Sequence, residues 1–198
     1  MNVKLIAALV AGALSTAPAF STTLDFEGLT DGALVGTPVA GISFGDDALV
    51  VTNNTDFTYF TNGTGSSAFT PVGPSAFVNV GDGFTGTVSF NYAAFAASTF
   101  NVYSDLNGAG NVVGTFSLTA NNPAYNAENP QPLSVWSFAS IVLNGNGRSI
   151  DFGAAANTAM FDNLSLDTPA PVPLPGAAWL MVSALGGLGS LARRKRAV

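Results

Sequence analysis

The sequence contains no histidine and no cysteine in its 198 residues. Their absence excludes disulfide bonds, thiol catalysis, serine–histidine relays and zinc sites built from nitrogen or sulfur ligands. Charged residues are also scarce, at 9%, against about 25% in an average soluble domain. This scarcity excludes a coiled coil, a long helical bundle and a disordered acidic tail.

The few charges are unevenly distributed along the chain. Lys4 lies near the start, four of the six basic residues lie near the end, and only Arg148 lies between them. All twelve acidic residues also lie in that middle region, which therefore has a net charge near −11. A region of this charge repels nucleic acid and anionic membrane surfaces, so we expect no nucleic-acid partner.

The N-terminus has the three parts of a secretory signal peptide. Lys4 provides a short cationic head, residues 5–14 form an apolar run, and Ala17 and Ala19 form a small-residue cleavage site. The apolar run is too short to span a bilayer, which needs about 20 residues. We therefore predict a signal peptide over residues 1–19, cleaved before Phe20.

The C-terminus predicts a membrane anchor. A proline-rich linker over residues 169–175 precedes an apolar segment over residues 176–192, which as a helix is long enough for a thin hydrocarbon core. Residues 193–198 are a basic tail that stays on the cytoplasmic side and leaves the rest of the chain outside. The membrane-stop residues are Arg193, Arg194, Lys195 and Arg196.

The start of this tail resembles the PEP-CTERM type of sorting signal, in the variant with the motif Val-Pro-Leu-Pro-Ala. The matching residues are Val172, Pro173, Leu174, Pro175 and Gly176, with Gly176 where the motif has alanine and Ala177 following. The resemblance implies that an exosortase-type transpeptidase in the inner membrane of a Gram-negative bacterium recognises the motif and removes the tail. The remainder would then reach the cell surface or the extracellular polysaccharide matrix.

The middle of the chain, residues 20–168, is predicted to be one all-β domain. Short runs rich in Val, Phe, Thr and Tyr alternate with Gly, Asn, Asp and Pro, and Val88, Phe90 and Tyr92 share one parity. Such alternation is typical of antiparallel sheets with one buried face. We predict an antiparallel jelly-roll-like β-sandwich, with an immunoglobulin-like sandwich as the alternative. The predicted strands are 23–26, 41–44, 49–52, 57–60, 77–80, 85–92, 99–104, 112–118, 136–143, 149–152 and 160–166.

Glycine-containing segments are predicted to form turns. Asn-Gly pairs at 62–63, 107–108, 144–145 and 146–147 favour tight hairpins. The run 81–86 matches the spacing of a dinucleotide-binding loop, but it leads into a strand and not a helix, so we interpret it as a hairpin or bulge. Residues 119–134 form a long surface loop.

Two acidic residues are candidate metal ligands. Asp162 has the parity of Leu164 and Leu166, so a regular strand would direct its carboxylate into the core, where an unpaired charge is very costly. A cation, a group of backbone amides or a strand irregularity must compensate for it. Phe-Glu-Gly on the first strand and Asp-Asn on the last resemble the arrangement in jelly-roll carbohydrate-binding modules. That resemblance implies a structural Ca²⁺ held by Glu27 and Asp162, with backbone carbonyls completing the shell. The alternative is an exposed Glu27 and an Asp162 that caps a turn.

Two further features bear on ligands. Asp46 and Asp47 have the residue type of a glycosidase acid pair, but we interpret them as solvated turn acids, and we predict no catalytic residue. The aromatic residues that could stack on sugars are Tyr59, Phe60, Tyr92, Tyr103, Tyr125 and Trp136. Tyr125 is the first candidate for ligand binding, because it falls in a polar loop with no strand parity to bury it.

Three hypotheses for function follow from these patterns. The first is an exported surface or matrix protein with a structural or adhesive role and no catalysis. The second is a carbohydrate-binding module acting on exopolysaccharide, and the third is a glycoside hydrolase that uses carboxylates alone. We favour the first, with the second as a specific version of it.

Overall fold

The computed structural model describes residues 20–125, 128 and 130–168. In this part of the chain, regular structure consists of eleven strands and two single 3-10 turns, Leu106–Gly108 and Gly153–Ala155. The strands are β1 (Phe20–Leu24), β2 (Ile42–Phe44), β3 (Ala48–Thr52), β4 (Ser67–Pro71), β5 (Phe77–Phe84), β6 (Thr87–Ala94), β7 (Ser98–Tyr103), β8 (Val112–Leu118), β9 (Ser137–Val142), β10 (Gly147–Asp151) and β11 (Ala159–Thr168).

The strands form two sheets. Within each sheet, every pair of neighbouring strands is antiparallel. Sheet A has the order β3-β4-β11-β6-β9, with β1 also paired to β11, and sheet B has the order β2-β5-β10-β7-β8. The prediction of an antiparallel β-sandwich is therefore confirmed.

The core between the sheets is built largely from phenylalanine. The rings of Phe152 and Phe161 lie 4.7 Å apart, those of Phe100 and Phe152 4.8 Å, and Phe161 lies 5.3 Å from both Phe69 and Phe90. All five side chains are buried. Alternation along each strand places these rings on inner faces, and truncating one such ring to alanine costs about 3–5 kcal/mol.

One predicted strand is wrong and one observed strand was not predicted. Residues 57–60 form a loop with a single bridge from Phe60 to Leu133, whereas β4 lies in a stretch with no predicted strand. β4 is buried on both faces except at Thr70. A strand covered on both sides has no alternating pattern, which explains why periodicity missed it.

The Asn-Gly pairs have different outcomes. Asn107 and Gly108, both at positive φ, turn the chain from β7 to its hairpin partner β8, so this prediction is confirmed. Residues 144–147 and the glycine-rich run that ends at Gly86 instead carry the chain from one sheet to the other. At 144–147 the expected hairpin is wrong, because a turn motif specifies a local bend and not the sheet that the next strand joins. At 81–86 no hairpin forms, but the alternative prediction of a bulge is confirmed, since the register between β5 and β10 shifts between the pair of Phe84 with Gly147 and the pair of Asn79 with Ser149.

A second, smaller hydrophobic cluster covers part of the outer face of sheet A. Its buried members are Val51, Phe60, Ala68, Ala93 and Leu133, and the partly buried Tyr59, Phe95, Tyr125, Trp136 and Met160 pack against it. We call this group the outer cluster. Loop 53–64 supplies Tyr59 and Phe60, the segment after β6 supplies Phe95, and the segment between β8 and β9 supplies Tyr125 and Trp136.

The predicted signal peptide, linker, sorting motif, membrane helix and basic tail lie outside the described residues. Within the described ranges, no helix has the length and apolar character needed to cross a membrane.

Candidate functional site

The first candidate site lies where β11 changes register. β6 pairs along one side of β11, while β4 and β1 share the other, at Phe161 and at Leu164–Thr168 respectively. The register with β6 shifts between Asp162 and Ser165, and Asn163 has a positive φ of 51°. The irregularity therefore falls at the junction between β4 and β1.

This bulge changes the face on which Asp162 lies. Asp162 pairs with Asn91, which alternates with the inward-facing Phe90 and Tyr92, so Asp162 points to the outer face of sheet A. A regular strand would direct this carboxylate into the core, but the bulge reverses the parity of β11 before Leu164. Asp162 is nevertheless only 1% exposed.

The Asp162 carboxylate accepts hydrogen bonds at both of its oxygens. The Thr64 hydroxyl donates to Oδ2 at 2.5 Å, and the backbone N–H of Asn163 donates to Oδ1 at 2.6 Å. Burial raises the pKa of Asp162, the two hydrogen bonds lower it, and the charges of Glu27 and Asp25 raise it further, with a net increase. Of the three alternatives given by the sequence, the strand irregularity is present, while a single backbone N–H and not a group of them donates to the carboxylate.

Glu27 lies beside the same loop as Asp162. Its Oε1 accepts from the backbone N–H groups of Ser66 and Ser67 at 2.8 and 2.9 Å, and its Oε2 accepts from the Ser66 hydroxyl at 2.8 Å. Desolvation raises the pKa of Glu27, but these hydrogen bonds outweigh it and the pKa is lowered. A Cβ on Gly65 would overlap the Glu27 carboxylate, so a larger residue at this position would displace that side chain.

The structure therefore brings Glu27 and Asp162 to one place, because Thr64 binds one and Ser66 binds the other. Asn163 adds an amide that donates to the Thr64 hydroxyl. The available ligands are thus oxygen atoms, the type that Ca²⁺ prefers. Among the described residues, no group of three His, Cys, Asp or Glu side chains is placed to hold a metal, so a cation here would also need hydroxyl, amide or backbone oxygens.

The second candidate site is a groove around Tyr125. Its volume is about 380 Å³, and none of its lining residues is charged. The lining residues are Asn121, Asn122, Pro123, Ala124, Tyr125, Gln131, Pro132, Leu133, Ser134 and Val135. Ligand sites of small molecules are typically concave, mostly apolar and about 300–1,000 Å³ in volume, so the groove has the shape and size of such a site.

Tyr125 is half-buried and not free in the loop. Its ring stacks on Phe95 with a centroid distance of 4.4 Å and an interplanar angle of 19°. It also lines a smaller depression with Leu133 and Met160. The outer cluster therefore fixes one face of the ring, which holds the side chain in a single orientation at the groove.

Two asparagines attach the groove loop to sheet A. Asn121 accepts from the backbone N–H of Ala94 at 2.7 Å and donates to the Tyr92 carbonyl at 3.1 Å. Asn122 accepts from the N–H groups of Ser134 and Val135 at 2.9 and 3.0 Å. Their amides position the loop, which leaves the exposed Gln131 as the amide side chain best placed to contact a ligand.

Phe57, an exposed ring that the sequence did not single out, lies on the neighbouring loop beside the partly buried Tyr59, which was a sequence candidate. Phe57 is 45% exposed, and its ring lies 4.6 Å from that of Tyr59. The Tyr59 hydroxyl donates to Asp31, and burial together with this carboxylate raises the pKa of Tyr59. Asn54 accepts from the backbone N–H of Phe57 at 2.9 Å. The Asn54 side chain thus forms a turn that holds Phe57 outward, and Asn54 was the signal in the sequence for an exposed aromatic residue at this place.

The other sequence candidates do not join either site. Phe60 and Tyr92 are buried, and Tyr103 lies in sheet B. Asp47 accepts from the backbone N–H of Ser75 at 2.7 Å, in the turn between β2 and β3, where Asp46 is exposed.

Comparison with known proteins finds similarity only among solved structures. No family model matches the chain, and no curated protein matches it either. A family 6 carbohydrate-binding module of Cellvibrio mixtus lichenase 5A, in complex with cellotriose, is 13% identical at a TM-score of 0.41, covering 70% of this chain and 98% of that one. A family 29 module from Piromyces equi is 11% identical at a TM-score of 0.43, covering 77% and 92%.

A third similar structure belongs to a larger enzyme. It is a family 43 arabinoxylan arabinofuranohydrolase from Bacillus subtilis, in complex with cellotetraose, with 14% identity and a TM-score of 0.40. The similarity covers 61% of this chain and 24% of that enzyme chain. This chain therefore spans about a quarter of the enzyme that it resembles.

Proposed function

We propose that residues 20–168 form a non-catalytic carbohydrate-binding module with a jelly-roll-like sandwich. The observation that carries the proposal is the uncharged groove in which Tyr125 is held against Phe95. A flat aromatic ring with one face covered and amide groups nearby suits the apolar face and hydroxyl groups of a sugar. Pairing of the first strand with the last supports the jelly-roll description.

The groove chemistry favours a neutral polysaccharide. None of the residues that line the groove is charged, and Arg148, the one cation among the described residues, donates to the Gly81 carbonyl on sheet B. An anionic polymer would meet an acidic domain with no opposing cation at the groove. Neutral chains such as cello-oligosaccharides, with which two of the similar structures are in complex, are therefore the first probes.

The test is affinity electrophoresis of the purified full chain in gels that contain hydroxyethylcellulose, xylan, dextran or polygalacturonate. We expect at least one neutral polymer to retard the protein and Tyr125→Ala to weaken that binding about tenfold. Tyr125→Phe keeps the stacking ring and is expected to retain most of the affinity, and Tyr103→Ala on sheet B is the matched control. Unchanged mobility in every neutral gel would overturn the proposal, and equal retention of Tyr125→Ala would place the site elsewhere.

We also propose a structural Ca²⁺ held by Glu27 and Asp162, with oxygens of Thr64 and Asn163. The support is the oxygen-only donor set and the repulsion of the Asp162 carboxylate by the charges of Glu27 and Asp25, which a divalent cation would relieve. Through Glu27 and Asp162, Ca²⁺ would link the segment that follows β1 to β11, and its role would be structural and not catalytic. We expect Ca²⁺ to raise the unfolding midpoint of the full chain and Asp162→Asn to abolish that increase. An unchanged midpoint with and without a chelator would exclude the metal.

The second candidate function is the exported structural or adhesive protein, and its support is the sequence of both termini. Residues 172–176 match a sorting motif and residues 193–196 are basic, which fits transit through the inner membrane, recognition by an exosortase-type transpeptidase and release to the surface or matrix. The two functions are compatible, because a module that binds exopolysaccharide would retain a sorted protein in the matrix.

A further inference from the structure

The outer edge of β9 differs from the other sheet edges in the described residues. Its side chains alternate between half-buried and exposed, and Phe138 and Val142 are 68% and 77% exposed. They are the most exposed large hydrophobic side chains in the part of the chain that the structure describes. Both lie on the outer face of sheet A, on either side of Ser140.

The edges of β2, β8 and β3 have protections that natural sheets commonly use. β2 has only three residues, and β8 carries Gly114 and a register shift opposite β7. β3 is covered by the preceding segment, where Val35 donates to the Ala48 carbonyl and Val50 donates to that of Ala33. In β1 the Ser21 and Thr23 hydroxyls bond to Ser165 of the neighbouring β11. β9 pairs with β6 in unbroken register and contains no proline, lysine or other charge, so its edge over residues 138–142 can accept another strand. Just beyond this stretch, Asn144 donates to the Val113 carbonyl of β8.

We propose that the β9 edge pairs with the β9 edge of a second copy of this chain, in antiparallel register about Ser140. Directly opposed residues of an antiparallel pair share a face, so the exposed even-numbered positions must face one another. Centring the pair on Ser140 places Phe138 of each copy opposite Val142 of the other. This register covers both exposed apolar side chains at once.

Charge favours a second copy at this edge. The domain is strongly acidic, and two copies repel each other across most of their surface. No charged residue occurs between Glu128 and Arg148, and β8, which lies beside β9, has none either. The β9 side is therefore a place where two copies can approach without opposing carboxylates.

The size of the contact predicts weak association. A six-residue strand is about 20 Å long, so edge pairing buries less than the roughly 800 Å² per partner of a standard stable interface. We therefore expect a dimer whose population depends on concentration. In this dimer the outer faces of both copies of sheet A lie on the same side. If the Tyr125 groove binds polysaccharide as proposed, the two grooves then open together and can bind one polymer bivalently.

The test is sedimentation equilibrium of the purified full chain without glycan, from micromolar to millimolar concentration. We expect a monomer–dimer equilibrium that Ser140→Lys weakens at least about tenfold, because like charges would oppose each other across the axis. Thr99→Lys, on the exposed face of β7 in sheet B, is the matched control and is expected to dimerise as wild type. Circular dichroism checks that both variants fold.

A second measurement tests the register itself. Opposed residues in such a pair have Cα atoms about 4.5–5.5 Å apart, which is within the range for a disulfide. Because the chain lacks cysteine, Ser140→Cys should cross-link two copies with oxidised glutathione as the oxidant, whereas Val142→Cys should not. A monomer at every concentration, full dimerisation of Ser140→Lys, or preferential cross-linking through Val142→Cys would overturn the proposal. Loss of polysaccharide binding with the dimer intact would contradict only the proposed function.

Discussion

At the residue scale, the buried Asp162 shows how a single inserted residue changes the environment of a carboxylate. The bulge moves the side chain from the core to the outer face, where Thr64 and the Asn163 backbone donate to it. The sequence indicated that this carboxylate needed a partner, since an unpaired buried charge is too costly to retain. It did not indicate Thr64, which is 98 positions away along the chain.

The two carboxylates of this site have opposite effects on the pH dependence of stability. The pKa of Asp162 is raised above its ordinary value of 3.8, so its contribution favours the folded state at low pH and is lost as pH rises through the folded pKa. The pKa of Glu27 is lowered below 4.5, so its contribution is present above that value and is lost as pH falls through its folded pKa.

Asp162→Asn tests this assignment. We expect the variant, in the absence of Ca²⁺, to lose the decline in unfolding free energy that wild type shows as pH rises above 3.8. Urea unfolding from acid to neutral pH measures the effect, with the exposed turn residue Asp46→Asn as control. A wild-type pH profile in Asp162→Asn would show that this carboxylate does not titrate as inferred.

At the element scale, close backbone contact determines how the β2–β3 turn joins the sandwich. Gly45 donates from its backbone N–H to the Phe77 carbonyl at 2.8 Å. A Cβ placed on Gly45 would lie 1.9 Å from the backbone oxygen of Ser75, so one of the two backbone segments would have to shift. Nothing in the sequence distinguishes this glycine from the many that lie in open turns.

Gly45→Ala is therefore expected to destabilise the fold by about 3 kcal/mol, at the upper end of typical overpacking costs. Gly81→Ala is the matched control, because its nearest neighbouring atom lies at 3.8 Å and the new methyl group would make an ordinary contact. Thermal and urea unfolding of both variants provide the measurement. Equal stability of the two would contradict the close approach at Gly45.

The strands differ in whether one face or both faces are buried, and this decides whether the sequence pattern predicts them. β6 has one inner face and one outer face, and the alternation of Val88, Phe90 and Tyr92 predicted it correctly. β4 lies under the outer cluster, so Ala68 and Phe69 are both buried and no alternation remains to be detected. Conversely, residues 57–60 have strand-like composition but are held in a loop by Asn53 and Asn54.

At the scale of the whole molecule, the proposed route of export makes a direct prediction about mass. We expect the chain recovered from the cell surface to begin at Phe20 and to lack about two dozen C-terminal residues. Intact mass spectrometry measures both ends at once. Recovery of a chain that retains Arg193–Arg196 would contradict processing at the sorting motif, and a chain retaining residues 1–19 in the cytosol would contradict export.

The sequence by itself determined the β-rich class, the acidic middle region, the absence of thiol and imidazole chemistry, and the need for a partner at Asp162. These properties follow from composition and from local periodicity, which act through neighbouring residues. Only the tertiary structure decided which sheet each strand joins, that Thr64 and Ser66 bring Asp162 and Glu27 together, and that Phe95 supports Tyr125. These contacts connect residues far apart in the chain, and local sequence cannot specify them because they depend on how the two sheets pack.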